Sequence, residues 1–220
     1  MEREGVTKYR CHHEKRALLP IPDLSRLNYW RQQMLDRGMI GQSNVRYQGL
    51  GFGNISQRWP YPGSDRQHRD TGVDAFIISG TQTGHLSSLA ASNVAVVLNA
   101  EVEQNRLWSQ GESEPSSEAL SHAVIYQQRH GCNAVIHVHC PLIWHQARKL
   151  SLSCTDSNTA YGTPTMAQEI RSLLTADQGV IAMLGHEDGI ISYGPCLSTA
   201  AEALVRLQAS AKTLHDSPAP

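Results

Sequence analysis

The sequence predicts an α/β or α+β layered sheet rather than a strict succession of βαβ units. Two observations carry that reading. Short apolar runs of strand length at 75–78, 94–98, 180–184 and 189–193 fall into neighbouring pairs, and stretches of helical length lie between and after them. Strand pairs with interspersed helices give layers around a shared sheet. Neither an internal repeat nor a low-complexity linker interrupts the 220 residues, so the expected unit is one domain over 1–220, with its core at about 24–214, an N-terminal extension and a short C-terminal tail.

The elements follow in order. Residues 24–37 read as a helix closed near Gly38, and 45–59 as a Gly-rich strand pair interrupted by Gly49, Gly51 and Gly53. Residues 58–74 form a polar loop. The strands at 75–78 and 94–98 are separated by Gly80-Thr81-Gln82-Thr83-Gly84, a turn sequence. Pro115-Ser116-Ser117-Glu118 opens a helix that runs to 128, and the strand 134–139 follows at once. Residues 164–174 carry Pro in the first helical turn, with Met166, Ile170, Leu173 and Leu174 as the apolar positions. Residues 180–184 and 189–193 are a strand pair, and 197–214 is a final amphipathic helix.

Composition sets outer bounds. A net charge of −1 with no basic stripe argues against nucleic acid as the main partner, and no stretch reaches the roughly 18 apolar residues of a membrane span. The five cysteines are odd in number and contain no Cys-x-x-Cys pair, which disfavours a disulfide framework. A reducing compartment, the cytoplasm, is the expectation.

The chemistry concentrates in two adjacent segments. In Ala134-Val135-Ile136-His137-Val138-His139 the period-2 geometry of a strand puts both imidazoles on one face. Their apolar neighbours imply burial, and buried imidazoles need partners. Catalytic transition-metal sites typically use three protein ligands and keep a position open. Ser116 and Ser117 lie where a helix begins, a place that favours anions, although in isolation ordinary capping by Ser116 is the favoured reading. Glu118 in the first turn is either a dipole-friendly acid or a proton carrier. Cys11-His12-His13 reads as an incidental terminal cluster, Cys140 as a small buried hydrophobe, and His68, His85, His130 and His145 as surface or structural residues.

Pro115-Ser116-Ser117-Glu118, then His122, Tyr126 and Arg129, then Asn133-Ala134-Val135 and His137-x-His139 resemble the central segment of the class II aldolase/adducin family, most closely its fuculose phosphate aldolases and ribulose phosphate epimerases. The resemblance extends to Gly53-Asn54-Ile55-Ser56 with Arg58, Thr81-Gln82-Thr83-Gly84, Tyr161-Gly162-Thr163 and Gly189-Ile190-Ile191, covering roughly 24–207. It implies a three-layer α/β/α fold with a mostly antiparallel central sheet, and a homotetramer with sites between subunits. It also implies one divalent ion, Zn2+ by preference, on three histidines, with His137 and His139 matching directly. By the same resemblance Asn54, Thr83, Gly84, Ser116 and Ser117 cup a substrate phosphate, and Glu118 is the catalytic acid/base. The implied reaction is aldol-type cleavage of a small phosphorylated ketose or related hydroxy-ketone through an enediolate.

Three departures qualify the match. The chain reads Gly185-His186-Glu187-Asp188-Gly189 where the family has His directly before Gly, so Asp188 holds the aligned position and His186 is preferred only on ligand chemistry. Residues 140–160 are shorter than in the aldolase and omit a segment that carries a catalytic tyrosine there. The chain also ends soon after the last helix, without the tail that supplies a second tyrosine. An epimerase of the same family and a non-catalytic, adducin-like assembly protein are therefore the alternatives to the lyase.

Overall fold

In the computed structural model residues 7–60 and 75–216 are described. Eleven strands and five helices follow in chain order among them: β1 (Arg10–Lys15), α1 (Ser25–Leu35), β2 (Gly41–Gln42), β3 (Gly51–Phe52), β4 (Asn54–Arg58), β5 (Phe76–Ser79), β6 (Val94–Glu101), β7 (Arg106–Gly111), α2 (Ala119–Gln128), β8 (Ala134–His139), α3 (Pro141–His145), β9 (Ser153–Cys154), α4 (Pro164–Leu173), β10 (Gly179–Ala182), β11 (Gly189–Gly194) and α5 (Leu197–Asp216). Nine strands form one sheet in the order β1-β7-β6-β5-β4-β8-β11-β10-β9, and β2 pairs with β3 in a separate ribbon.

The sheet is mixed, where the sequence reading expected a mostly antiparallel one. Its pairings from β7 to β10 are antiparallel, but the outermost strands run parallel to their neighbours, β1 to β7 and β9 to β10. The reason lies in segments that local pattern did not mark as strands. Residues 10–15, ahead of the core expected from Leu24, are polar and form an edge strand whose backbone alone is satisfied by β7.

The strand β8 is buried along its whole length because it lies between β4 and β11. Its alternate residues serve two apolar clusters. Ala134, Ile136 and Val138 join Leu27 and Met34 of α1 and Leu197, Ala200, Ala201 and Leu204 of α5. Val135 joins Ala119, Ala123, Val124 and Tyr126 of α2 and Met166 and Ile170 of α4. His137 and His139 follow Val135 in period 2 and so share the α2 side of the sheet. In α5 the buried positions recur at helical spacing, which is why one face of it covers β11 and β8.

Three local expectations shift. Residues 45–50 are no strand: Tyr47 and Gln48 take positive φ of 48° and 58° in a tight turn, and pairing begins only at β3. The helix expected from Ser116 starts at Ala119, with Ser117 and Glu118 in a turn before it, so Ser116 provides no side-chain cap. Of the polar loop expected at 58–74, residues 61–74 lie outside the described residues, as does His68. No helix among the described residues is long and apolar enough to cross a membrane.

All five cysteines are free, and their surroundings rank them. Burial pushes Cys132 up to about 11 and also raises Cys11, Cys140 and Cys154. Cys196 is exposed ahead of α5, and hydrogen bonds from Ser198 Oγ (3.0 Å) and Thr199 Oγ1 (3.2 Å) hold its thiol below the usual value. Iodoacetamide on the native protein near neutral pH is therefore expected to modify Cys196 first, because the thiolate is the reacting form. Peptide mapping by mass spectrometry checks the order, and first labelling at Cys132 or Cys140 contradicts this packing.

Candidate active site

The centre of the site is set by register. Pairing of β4 with β8 places Asn54 opposite His137, and pairing of β8 with β11 places Gly189 opposite His139. The turn between β10 and β11 then returns His186 to the end of β8. That turn folds tightly against residues 156–159: a Cβ on Gly185 would lie 1.8 Å from the carbonyl oxygen of Thr159. Only glycine allows so close an approach.

His137, His139 and His186 are all fully buried, and each offers a ring nitrogen within 4.8 Å of the others. Their ring centroids are 4.8–5.0 Å apart. Burial pushes His137 well below the ordinary histidine range, and the imidazoles of His186, His139 and His122 add to the effect. A neutral ring has a lone pair to offer. Nδ1 of His137 is 3.3 Å from the Asn54 amide, while its Nε2 is buried and has no hydrogen-bond partner. Nitrogen donors of this type, desolvated and converged, suit a divalent transition metal.

Asp188, the competing third ligand, faces elsewhere. Its carboxylate accepts the Tyr47 hydroxyl proton at 2.6 Å and lies 3.9 Å from Arg46. The residue takes a left-handed φ of 61° in the turn.

Glu118 sits beside the imidazoles, 1% exposed, with Oε1 3.9 Å from Nδ1 of His186. Ser121 Oγ donates to its other oxygen at 2.7 Å, which fixes the carboxylate plane. Glu118 is the residue immediately ahead of α2, which places its carboxylate at the entry of that helix beside His186.

Asn54, Thr83, Gly84, Ser116 and Ser117 line one narrow pocket with Gly51, Gly53, Gly80, Thr81 and Gln82. Three segments meet there: the start of β4, the turn after β5 and the turn before α2. The last two are joined by a bridge between Gly80 and Pro115. Gly84 is pressed so close to Gly41 that a Cβ would come within 2.1 Å of its carbonyl oxygen. The pocket encloses only about 20 Å³, about the room of one water, so a larger anion has to seat at its mouth or move the 81–84 turn outward. Behind that turn the guanidinium of Arg31, 1% exposed, donates to the carbonyls of Thr83 and Leu86. Burial pushes it down to about 10, which leaves it cationic at neutral pH.

On the other side His186 opens onto a cleft of about 680 Å³ lined also by Arg46, Tyr47, Asn158, Tyr161 and Asp188. The Tyr161 ring stacks on His186 at 4.4 Å, and the Tyr47 ring meets His139 edge-on at 4.7 Å. Tyr47 and Arg31 were missed in the sequence. The positive φ of Tyr47 has no composition signal, and Arg31 reads as an ordinary charge on a surface helix. Away from the cluster, His12 stacks on Trp108 and His13 Nδ1 lies 2.9 Å from Ser109 Oγ.

The profile of the Class II Aldolase and Adducin N-terminal domain matches residues 46–215. The chain belongs to the class II aldolase and adducin family. No curated protein matches it in sequence. Several solved structures share the class II aldolase fold. YgbL of Escherichia coli, for which aldolase, epimerase and decarboxylase activities stand as alternatives, is 19% identical with a TM-score of 0.61 over 88% of this chain and 89% of that one. L-fuculose-1-phosphate aldolase of Thermus thermophilus is 17% identical at 0.60, over 89% and 97%. The sugar-phosphate aldolase of Thermotoga maritima is 14% identical at 0.62, over 88% and 95%. Class II aldolases use a divalent metal, and the buried imidazoles of this chain are consistent with one.

Burial of neutral histidines has a stability consequence. His122, fully buried with Nδ1 2.7 Å from Ser56 Oγ, is pushed down to about 3, and His137 is depressed as well. The unfolded chain takes up these protons below about pH 6.5 while the folded one does not, so stability present above that pH declines as pH falls toward 3. Each such histidine contributes a slope of about 1.4 kcal/mol per pH unit. Urea unfolding of metal-free protein between pH 7 and 5 checks the sign, and unchanged stability over that range contradicts the burial.

Proposed function

We propose that the chain is a metal-dependent lyase that cleaves a carbon–carbon bond in a small phosphorylated ketose or related hydroxy-ketone. The observation that carries this reading is the placement of a buried carboxylate, Glu118, against three converged imidazoles, with the anion cup beside them. His137, His139 and His186 would hold the ion. When bound, a divalent cation there supplies Lewis-acid charge to a substrate carbonyl.

The remaining roles belong to the chain itself. Asn54 and the 81–84 and 116–117 turns bind and orient the phosphate, with the Arg31 charge behind them favouring a dianion. Glu118 holds or moves the proton on the reacting hydroxyl, since Ser121 fixes one of its oxygens and its other oxygen faces His186. The cleft beyond His186 receives the other half of the substrate, and its aromatic walls Tyr47 and Tyr161 exclude water from that side. An epimerase would use the same groups, so product analysis decides between the two chemistries. An adducin-like assembly role fits less well, because His137 Nε2 buried without a partner costs stability that pure assembly does not require. A cytoplasmic homotetramer is part of this proposal, to be read by light scattering.

The test compares ligand loss with loss of the acid/base. His137→Ala and His139→Ala should each eliminate stoichiometric zinc. His186→Ala should release it too, whereas Asp188→Asn should retain it. Glu118→Gln should keep the metal and lose about 10²- to 10⁴-fold in turnover across a screen of phosphorylated ketoses. Inorganic phosphate should raise the melting temperature of the native protein, and the Ser116→Ala, Ser117→Ala double variant should not respond. Metal retained by His137→Ala, or turnover unaffected in Glu118→Gln, contradicts the reading.

A further inference from the structure

We propose that Lys8 and Tyr9, the two residues just ahead of β1, are positioning residues of this site. Tyr9 braces the anion turn, and Lys8 braces the third imidazole. The inference rests on the site reading above. It concerns a segment outside the 46–215 stretch that matches the family.

Tyr9 is 5% exposed and lies against α2. Its hydroxyl donates to the carbonyl oxygen of Ser116 at 2.8 Å, with the Pro115 carbonyl at 3.4 Å. The Ser116 carbonyl and the Ser117 N–H belong to one planar trans peptide, and they point in opposite directions. Anchoring that oxygen therefore sets where the Ser117 N–H points. The same carbonyl accepts from Ala119 N at 3.0 Å, so the bond also fixes the entry to α2 and with it the origin of Glu118.

Lys8 reaches the opposite part of the site. Its Nζ donates to the Tyr161 carbonyl at 3.0 Å and stands 3.9 Å above the centroid of the Tyr161 ring. That ring lies nearly parallel to His186, at 17° and 4.4 Å. The lysine stem runs along Gly162, where an added Cβ would meet it at 3.5 Å. An ammonium over an aromatic face is attracted to it, so Lys8 holds the Tyr161 ring in place, and the ring in turn limits how His186 can rotate. Adjacent residues of a polar segment thus tie the edge strand to both the cup and the imidazoles.

A plain structural role for the segment makes a different prediction: any damage to β1 would affect both ligands through stability alone. The full chain is titrated with inorganic phosphate by calorimetry and with zinc against a chelator, in four forms: native, Tyr9→Phe, Lys8→Met and His12→Ala. Phe retains the buried ring of Tyr9, Met retains the stem of Lys8, and His12 stacks on Trp108 away from the site. Tyr9→Phe is expected to weaken phosphate binding about 5-fold, the scale of one hydrogen bond, with zinc affinity unchanged. Lys8→Met is expected to weaken zinc about 2- to 5-fold with phosphate unchanged. His12→Ala should alter neither affinity, whatever it does to the melting temperature. Native protein that binds both ligands while Tyr9→Phe and Lys8→Met bind them equally well overturns the bracing alone. Losses in His12→Ala equal to those in the two test variants overturn it as well. Native protein that binds neither ligand removes the site reading and the bracing together.

Discussion

Everything about this site depends on the desolvation of three imidazoles at the centre of the sheet. Taking polar groups out of water is costly, and here the cost falls on side chains held in place by backbone register rather than by flexible loops. Two of them come from β8, the strand flanked on both edges, and the third from a turn pinned against residues 156–159. In this arrangement three ring nitrogens already lie within 4.8 Å of one another. Such preorganisation is what a metal site requires of its protein.

The rest of the molecule is arranged on either side of that cluster. Toward α2 lie Glu118 and the narrow cup, built from backbone turns, hydroxyls and an amide. Toward the 155–161 segment lies a much roomier cleft with aromatic and charged walls. The two compartments differ in size and chemistry; under the function proposed above, the polar turns would take the anionic end of an asymmetric substrate and the cleft its other half. Arg46, Tyr47 and Asp188 form a hydrogen-bonded group at the cleft wall, and Arg46 also contacts the His139 carbonyl at 3.4 Å. Two tyrosine rings, Tyr47 and Tyr161, border the imidazoles on this side.

Much of this was legible in local pattern, and the reasons are specific. His137 and His139 share a face because strands alternate with period 2, a rule that holds whatever surrounds the strand. The helices α1, α4 and α5 have apolar spacing and punctuation that survive without context. The failures are equally physical. Ser116 looks like the start of a helix, but the bridge between Gly80 and Pro115 holds the chain extended, and the helix begins only at Ala119. The turn at Tyr47 and Gln48 depends on positive φ values that neither residue type signals. Residues 10–15 carry no strand pattern, since an exposed edge strand is defined by what it pairs with. Long-range contacts decided each of these cases. They also set His186 and Asp188 apart: His186 groups with the two strand imidazoles, while Asp188 turns its carboxylate to Tyr47.

The most direct measurement of the central claim is X-ray absorption spectroscopy on the zinc-loaded full chain. The account predicts three imidazole nitrogens at about 2.0–2.1 Å, with one oxygen ligand completing the shell and no sulfur. A shell containing a sulfur at about 2.3 Å, or fewer than three imidazoles, would contradict it.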